Sequence, residues 1–109
     1  MDFLKEMKLE GVWDEFQFYK RLNINSEYEL SVQAGGTHYC NPRKIMSLEE
    51  YQSFEIAIIN HYGFVTDMSM LENFNRLEEL MECYMGQVFG YVPKDLVNDL
   101  YVYMKTNFK

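Results

Sequence analysis

EYELSVQ, residues 27–33, alternates without a break. Tyr28, Leu30 and Val32 fall on one side, and Glu27, Glu29, Ser31 and Gln33 on the other. A period of two is the mark of a strand with one face buried and one wet. Asn25 and Ser26 precede it as turn residues, and Gly35-Gly36 follows it. This frame predicts a tight hairpin turn at the two glycines. A return strand over residues 37–40 would come next, ended by Pro42, which has no N–H for a ladder.

Downstream, residues 41–50 read as a loop carrying Arg43 and Lys44. Residues 51–59 (YQSFEIAII) read as the next strand, with Phe54, Ile56 and Ile58 facing one way. Ala57 and Ile59 make its end apolar on both sides, as in a central strand. A turn over residues 60–63 and a short strand at Phe64-Val65 follow. Ser69 and Glu72 have the spacing of a capping box. Leu71, Phe74, Leu77, Met81 and Tyr84 then recur every three or four residues, predicting a helix that Gly86 ends near Met85. Residues 87–92 read as a short strand interrupted by Gly90. Pro93 suits the first position of a last helix. The stripe of that helix is Leu96, Val97, Leu100, Tyr101 and Met104, with Lys105 and Lys109 toward its C-terminus.

Upstream, Phe3, Leu4, Met7 and Leu9 have helical spacing as far as Gly11. Residues 12–22 (VWDEFQFYKRL) fit two patterns. Trp13, Phe16 and Tyr19 suit a helix, whereas Phe16 and Phe18 suit a strand. Acids first and Lys20-Arg21 last favour a helix ending near Asn23. The order helix, hairpin, strand, helix, strand, helix predicts one domain over residues 1–109. Its class is α+β: a small antiparallel or mixed sheet of about four strands, with helices packed on one face.

A chain of 109 residues, 48 % hydrophobic and 17 % aromatic, has material for a core. Its apolar runs, residues 56–59 among them, are far short of a membrane helix. Residues 1–10 alternate charge and carry no apolar run, so no secretory signal is expected. The expectation is a cytoplasmic protein with reduced thiols, and no bridge between Cys40 and Cys83. The net charge of −7 is unevenly spread. Positions 49–99 hold ten acidic residues against two bases, Arg76 and Lys94. Such a balance disfavours direct binding to nucleic acid or anionic lipid.

Two surfaces stand out. One is acidic: Asp67, Glu72, Glu78, Glu79 and Glu82 around the capped helix, and Asp95 and Asp99 on the last helix. Set side by side, these helices would offer a negative face to the basic groove of a nuclease, polymerase or repressor. Acids also simply keep small domains in solution. The other surface is the loop of residues 35–44 (GGTHYCNPRK). There Arg43 and Lys44 would be donors to a carboxylate or phosphate, with His38 and Tyr39 as shaped contacts. The phosphate-cradling spacings GxGxxG and GxxxxGK[ST] are both missing from it.

His38, Cys40, His61 and Cys83 are zinc-ligand types, but no C-x₂-C or H-x₃-H pair accompanies them. A Cys40–His nucleophile would need a base and an oxyanion hole that the sequence does not display. No metal and no cofactor are expected. The functional expectation is a small acidic, non-enzymatic binding protein that inhibits or modulates a basic, nucleic-acid-handling protein. A phage or mobile-element inhibitor of the anti-CRISPR type has this profile. One alternative is an accessory or immunity-type domain that binds through residues 35–44. Another is a small metal- or thiol-dependent enzyme using His38, Cys40 and His61. A homodimer through an exposed edge strand is compatible with each.

Overall fold

The centre of the molecule is β5 (Ser53–Asn60), eight residues buried along most of their length. The computed structural model describes residues 2–13 and 16–108. On one edge β5 pairs antiparallel with β4 (Glu29–Gln33), which pairs in turn with β3 (Leu22–Asn23). Its other edge is shared end to end by two strands. β6 (Gly63–Phe64) takes the C-terminal half and β7 (Phe89–Pro93) the N-terminal half.

The register explains the pairing. Leu30 lies opposite Ile58, and Val32 opposite Ile56. Both pairs turn to the same buried face. There α1 (Asp2–Glu6) and α3 (Lys94–Asn107) cover the sheet, with the Phe3 ring set edge-on to Phe54 at 5.4 Å. Leu96, Val97, Leu100, Tyr101 and Met104 of α3 are all buried, as their spacing predicts. Helices therefore pack on one face of an antiparallel sheet, and the α+β class holds. Among the described residues no helix is long and apolar enough to cross a membrane.

The opposite face of the sheet carries Ser31, Gln33, Glu55, Ala57 and Ile59. A second, two-stranded sheet covers part of it: β1 (Leu9–Trp13) and β2 (Phe16–Tyr19), an antiparallel hairpin. The helix expected over residues 12–22 is this hairpin, apart from positions 14 and 15, which lie outside the described residues. Aromatic strand formers and a period of two prevailed over the order of charges. Gln17 and Tyr19 are buried, while Trp13, Phe16 and Phe18 form an aromatic cluster on the hairpin's other side, where Phe16 and Phe18 border His38.

Other expectations need correction. Residues 37–40 form no return strand; β4 finds its partner twenty residues on in β5, and only Asn41 makes an isolated bridge to Ser53. No continuous helix runs from Ser69. A 3₁₀ turn (Ser69–Leu71) gives way to turns and then to the five-residue α2 (Leu77–Met81). The Ser69 side chain makes no capping bond; instead Asp67 Oδ1 accepts the Ser69 N–H at 3.0 Å. Leu71 and Phe74 of the expected stripe are buried and Leu77 and Tyr84 pack against the core, but Met81 is exposed and Leu80, outside the stripe, is buried instead, because the segment does not form one helix. Pro93 ends β7 and stands just before α3. Seven strands replace the expected four among the described residues.

Candidate functional site

The loop of residues 35–44 is built from inside. Cys40 is fully buried, and its thiol donates to the Gly35 carbonyl at 3.3 Å. Burial pushes that thiol upward in pKa, away from the thiolate that nucleophilic chemistry requires. The buried Tyr51 hydroxyl donates to the Lys44 carbonyl and accepts the Met46 N–H at 3.1 Å. Glu55 of β5 reaches up with both oxygens. One accepts the Tyr39 N–H at 3.0 Å, and the other stands 3.5 Å from Nδ1 of His38.

His38 lies beneath the loop surface, only 6 % exposed. Its Nε2 is 2.8 Å from the Gln17 carbonyl of β2. Burial opposes its charge, but hydrogen bonding to Glu55 and to the Gln17 carbonyl outweighs burial and holds the pKa above its ordinary 6.5. Glu55 moves the other way. Burial alone would raise it, yet His38 and the Tyr39 N–H bring it below 4.5.

Opposite Glu55 the β7 strand bulges. Phe54 faces Val92 and Ile56 faces Phe89, so Gly90 and Tyr91 together stand against one residue. Tyr91 is forced to φ +54°, the one non-glycine residue with positive φ among those described. Its N–H donates to the Tyr39 carbonyl at 2.9 Å. A Cβ at Gly90 would displace the Met85 side chain and stand 3.1 Å from Tyr39 Cβ, so the missing side chain gives the loop room to lie this close.

The outcome is a surface of four side chains. The Tyr39 and Tyr91 rings sit 6.1 Å apart, 39 % and 45 % exposed. The Arg43 guanidinium lies 5.4 Å over the Tyr39 ring. Met85, 49 % exposed, borders Gly90. Among the described residues Arg43 makes no ion pair, although the chain has 17 acids. The structure thus brings Tyr39 and Arg43 together, places His38 under them as a support, and leaves Lys44 exposed at the loop's end. Tyr91 and Met85 were not singled out as loop partners by sequence, because a bulge joins them to a segment fifty residues away.

The acidic residues are grouped differently. Arg76 pairs bidentately with Glu79, at 3.0 and 2.7 Å. It also reaches Asp95 at 3.0 Å and Asp99 at 2.7 Å. The bonds to Glu79 and Asp99 raise its already high pKa further. α2 and α3 are therefore neighbours here. Glu78 and Glu82 stand exposed on or beside the same short helix, and Glu72 lies exposed in the turns before it. Asp67 is engaged with the backbone of Ser69, and its charge is felt at the Tyr28 hydroxyl.

Among the described residues no three His, Cys, Asp or Glu side chains converge as metal ligands. Both cysteines are free. His61 is exposed in the turn between β5 and β6, a part of the fold separate from Cys40. Comparison with protein-family models, with curated proteins and with solved structures found no match to the chain.

Proposed function

We propose that this chain is a non-enzymatic binding protein that engages a protein partner through Tyr39, Arg43, Tyr91 and Met85. The observation that carries this reading is the left-handed backbone at Tyr91. A tyrosine accepts that conformation at a cost, and such costs gather where a side chain must be aimed. Here the ring is turned outward beside Tyr39. Tyr, Arg and Met are the residue types enriched in interface centres. The loop is already ordered by Glu55, Tyr51 and Cys40, which lowers the entropy lost on association. The reading is that of an accessory or immunity-type domain working in the cytoplasm.

The test is a tagged pull-down with nuclease treatment, repeated with Tyr39→Ala, Arg43→Ala and Tyr91→Asn. A partner retained by the parent chain and lost by all three variants supports the reading. Retention by all three overturns it.

A second reading is favoured by Arg76, which draws Glu79, Asp95 and Asp99 into one acidic region with Glu78 and Glu82 nearby. On that reading the chain inhibits a basic, nucleic-acid-handling protein, in the manner of a phage or mobile-element anti-CRISPR inhibitor. Binding would then weaken steeply with salt and fail on reversal of Glu78 and Glu82 to Lys. The loop variants would still bind. A pull-down that recovers only the tagged chain itself would count against this charge-based reading.

A further inference from the structure

Arg43 carries a charge that nothing among the described residues answers. Arg21 is paired with Glu29 at 3.4 Å, and Arg76 is held by Glu79, Asp95 and Asp99. Arg43 alone of the three arginines has no carboxylate within ion-pair distance. Glu55 lies under the same loop, but its oxygens are turned to the Tyr39 N–H at 3.0 Å and to His38 Nδ1 at 3.5 Å. In a chain with 17 acids and a net charge of −7, an arginine left open is out of the ordinary.

The guanidinium nevertheless has a seat. It lies 5.4 Å over the Tyr39 ring. The Tyr39 backbone is held from two sides, its N–H by Glu55 and its carbonyl by the Tyr91 N–H at 2.9 Å. A guanidinium stacked on an aromatic face keeps its N–H donors free along its edge. Two parallel N–H bonds from that edge match a carboxylate. A phosphate fits less well. It is taken up by arginine clusters or by rows of backbone N–H groups. Here the exposed Lys44 is the one cation beside Arg43 in the loop, and a dianion would meet the repulsion of the acidic chain twice over. Tyr39, Tyr91 and Met85, each 39 % to 49 % exposed, give Arg43 an apolar surround. A partner pressed against them would exclude water, and an ion pair is stronger where water is excluded.

We propose, resting on the reading of this surface as a protein-binding one, that its partner presents an aspartate or glutamate side chain flanked by apolar residues, and that this carboxylate closes on Arg43. The contact is opposite in charge to the one a basic partner would make with the acids around Arg76.

The probe is a library of random peptides displayed on phage and selected on the immobilised full-length chain. Expected is a consensus with one Asp or Glu between apolar residues. In a synthetic peptide of that consensus, changing the acid to its amide weakens binding to the parent chain at least tenfold. The same change costs less than twofold against R43M, so the two substitutions are coupled. Two results overturn the carboxylate contact and leave the protein-binding surface standing. One is peptides that need Tyr39 and Tyr91 but carry no acid. The other is an acid whose loss costs as much against R43M as against the parent. Peptides indifferent to Tyr39→Ala, Tyr91→Asn and R43M, or no enriched peptide at all, would overturn both.

Discussion

Gln33 binds the backbone of Tyr19 as a neighbouring strand would. Its Oε1 accepts the Tyr19 N–H and its Nε2 donates to the Tyr19 carbonyl, both at 2.8 Å. A side-chain amide thus stands in for a strand where β2 crosses β4 without pairing with it. Tyr19 and Gln33 are both buried, so neither backbone group has water to turn to.

Gln33→Leu keeps the bulk and removes both bonds. It strands a buried donor and a buried acceptor, each worth roughly 1 to 3 kcal/mol unsatisfied. The expected loss of stability is about 2 to 4 kcal/mol, read from urea unfolding, with Trp13 emission shifting under native conditions. A loss under about 0.5 kcal/mol would mean that the amide bridge is dispensable.

Gly35 lies against the same hairpin. A Cβ there would stand 2.9 Å from Cγ of Gln17, a side chain whose amide is tied to Ala34. Gln17 has no room to yield, so Gly35→Ala should cost about 1 to 3 kcal/mol, the usual penalty of overpacking. Gly63→Ala, with open space around the added carbon, is the contrasting variant: both glycines have positive φ, +155° at Gly35 and +112° at Gly63, so the clash with Gln17 is what sets Gly35 apart.

Tyr91→Asn separates binding from folding. Asn tolerates the left-handed region better than Tyr does. The melting temperature is expected to hold or rise by a few degrees. Affinity for the partner is expected to fall at least tenfold, about 1.4 kcal/mol. A fall in stability matching the fall in affinity would show the ring to be structural.

Arg76→Met leaves Glu79, Asp95 and Asp99 close together without their cation. The acids are 47 % to 66 % exposed, so solvent already screens them and the expected cost is about 1 kcal/mol at low salt. At about 1 M salt the difference from the parent should largely vanish. A cost that persists in salt would point to lost packing by the arginine stem.

Stability should peak in a pH window set by His38 and Glu55. The folded pKa of Glu55 is lowered, so its contribution is complete above 4.5 and fades as pH falls through the lowered value. The folded pKa of His38 is raised, so its contribution is complete below 6.5 and fades as pH rises through the raised value. Urea midpoints measured from pH 3 to 9 are expected to be highest between these limits. In Glu55→Gln both limbs should flatten.

β4, β5 and α3 were legible because each shows one apolar face with a regular period, and the core they form is the one their spacing predicts. The hairpin of β1 and β2 was not. It docks through Gln17 and Gln33, polar side chains that read as surface until their partners are seen. The partner of β4 was hidden for another reason. Gly35-Gly36 suggests an immediate return, whereas the complementary residues Ile56 and Ile58 lie beyond a long loop. The acidic pairing through Arg76 was half visible: the acids were evident, their shared cation was not. Tyr91 had one available signal. Phe89 and Val92 are both buried yet three apart, a spacing that an unbroken strand would send to opposite faces.

The extra residue in β7 also makes the surface around Tyr91 separable from the core by the smallest change a gene can make to chain length. Losing one codon at position 90 or 91 would leave Phe89 and Val92 two apart, still on the inner face, and let β7 run flush along β5. The ladder between the two strands would then be regular. Loss of Tyr91 would take away the ring beside Tyr39, and loss of Gly90 would return Tyr91 to ordinary strand geometry, so the aim of this one ring depends on a single residue of chain length.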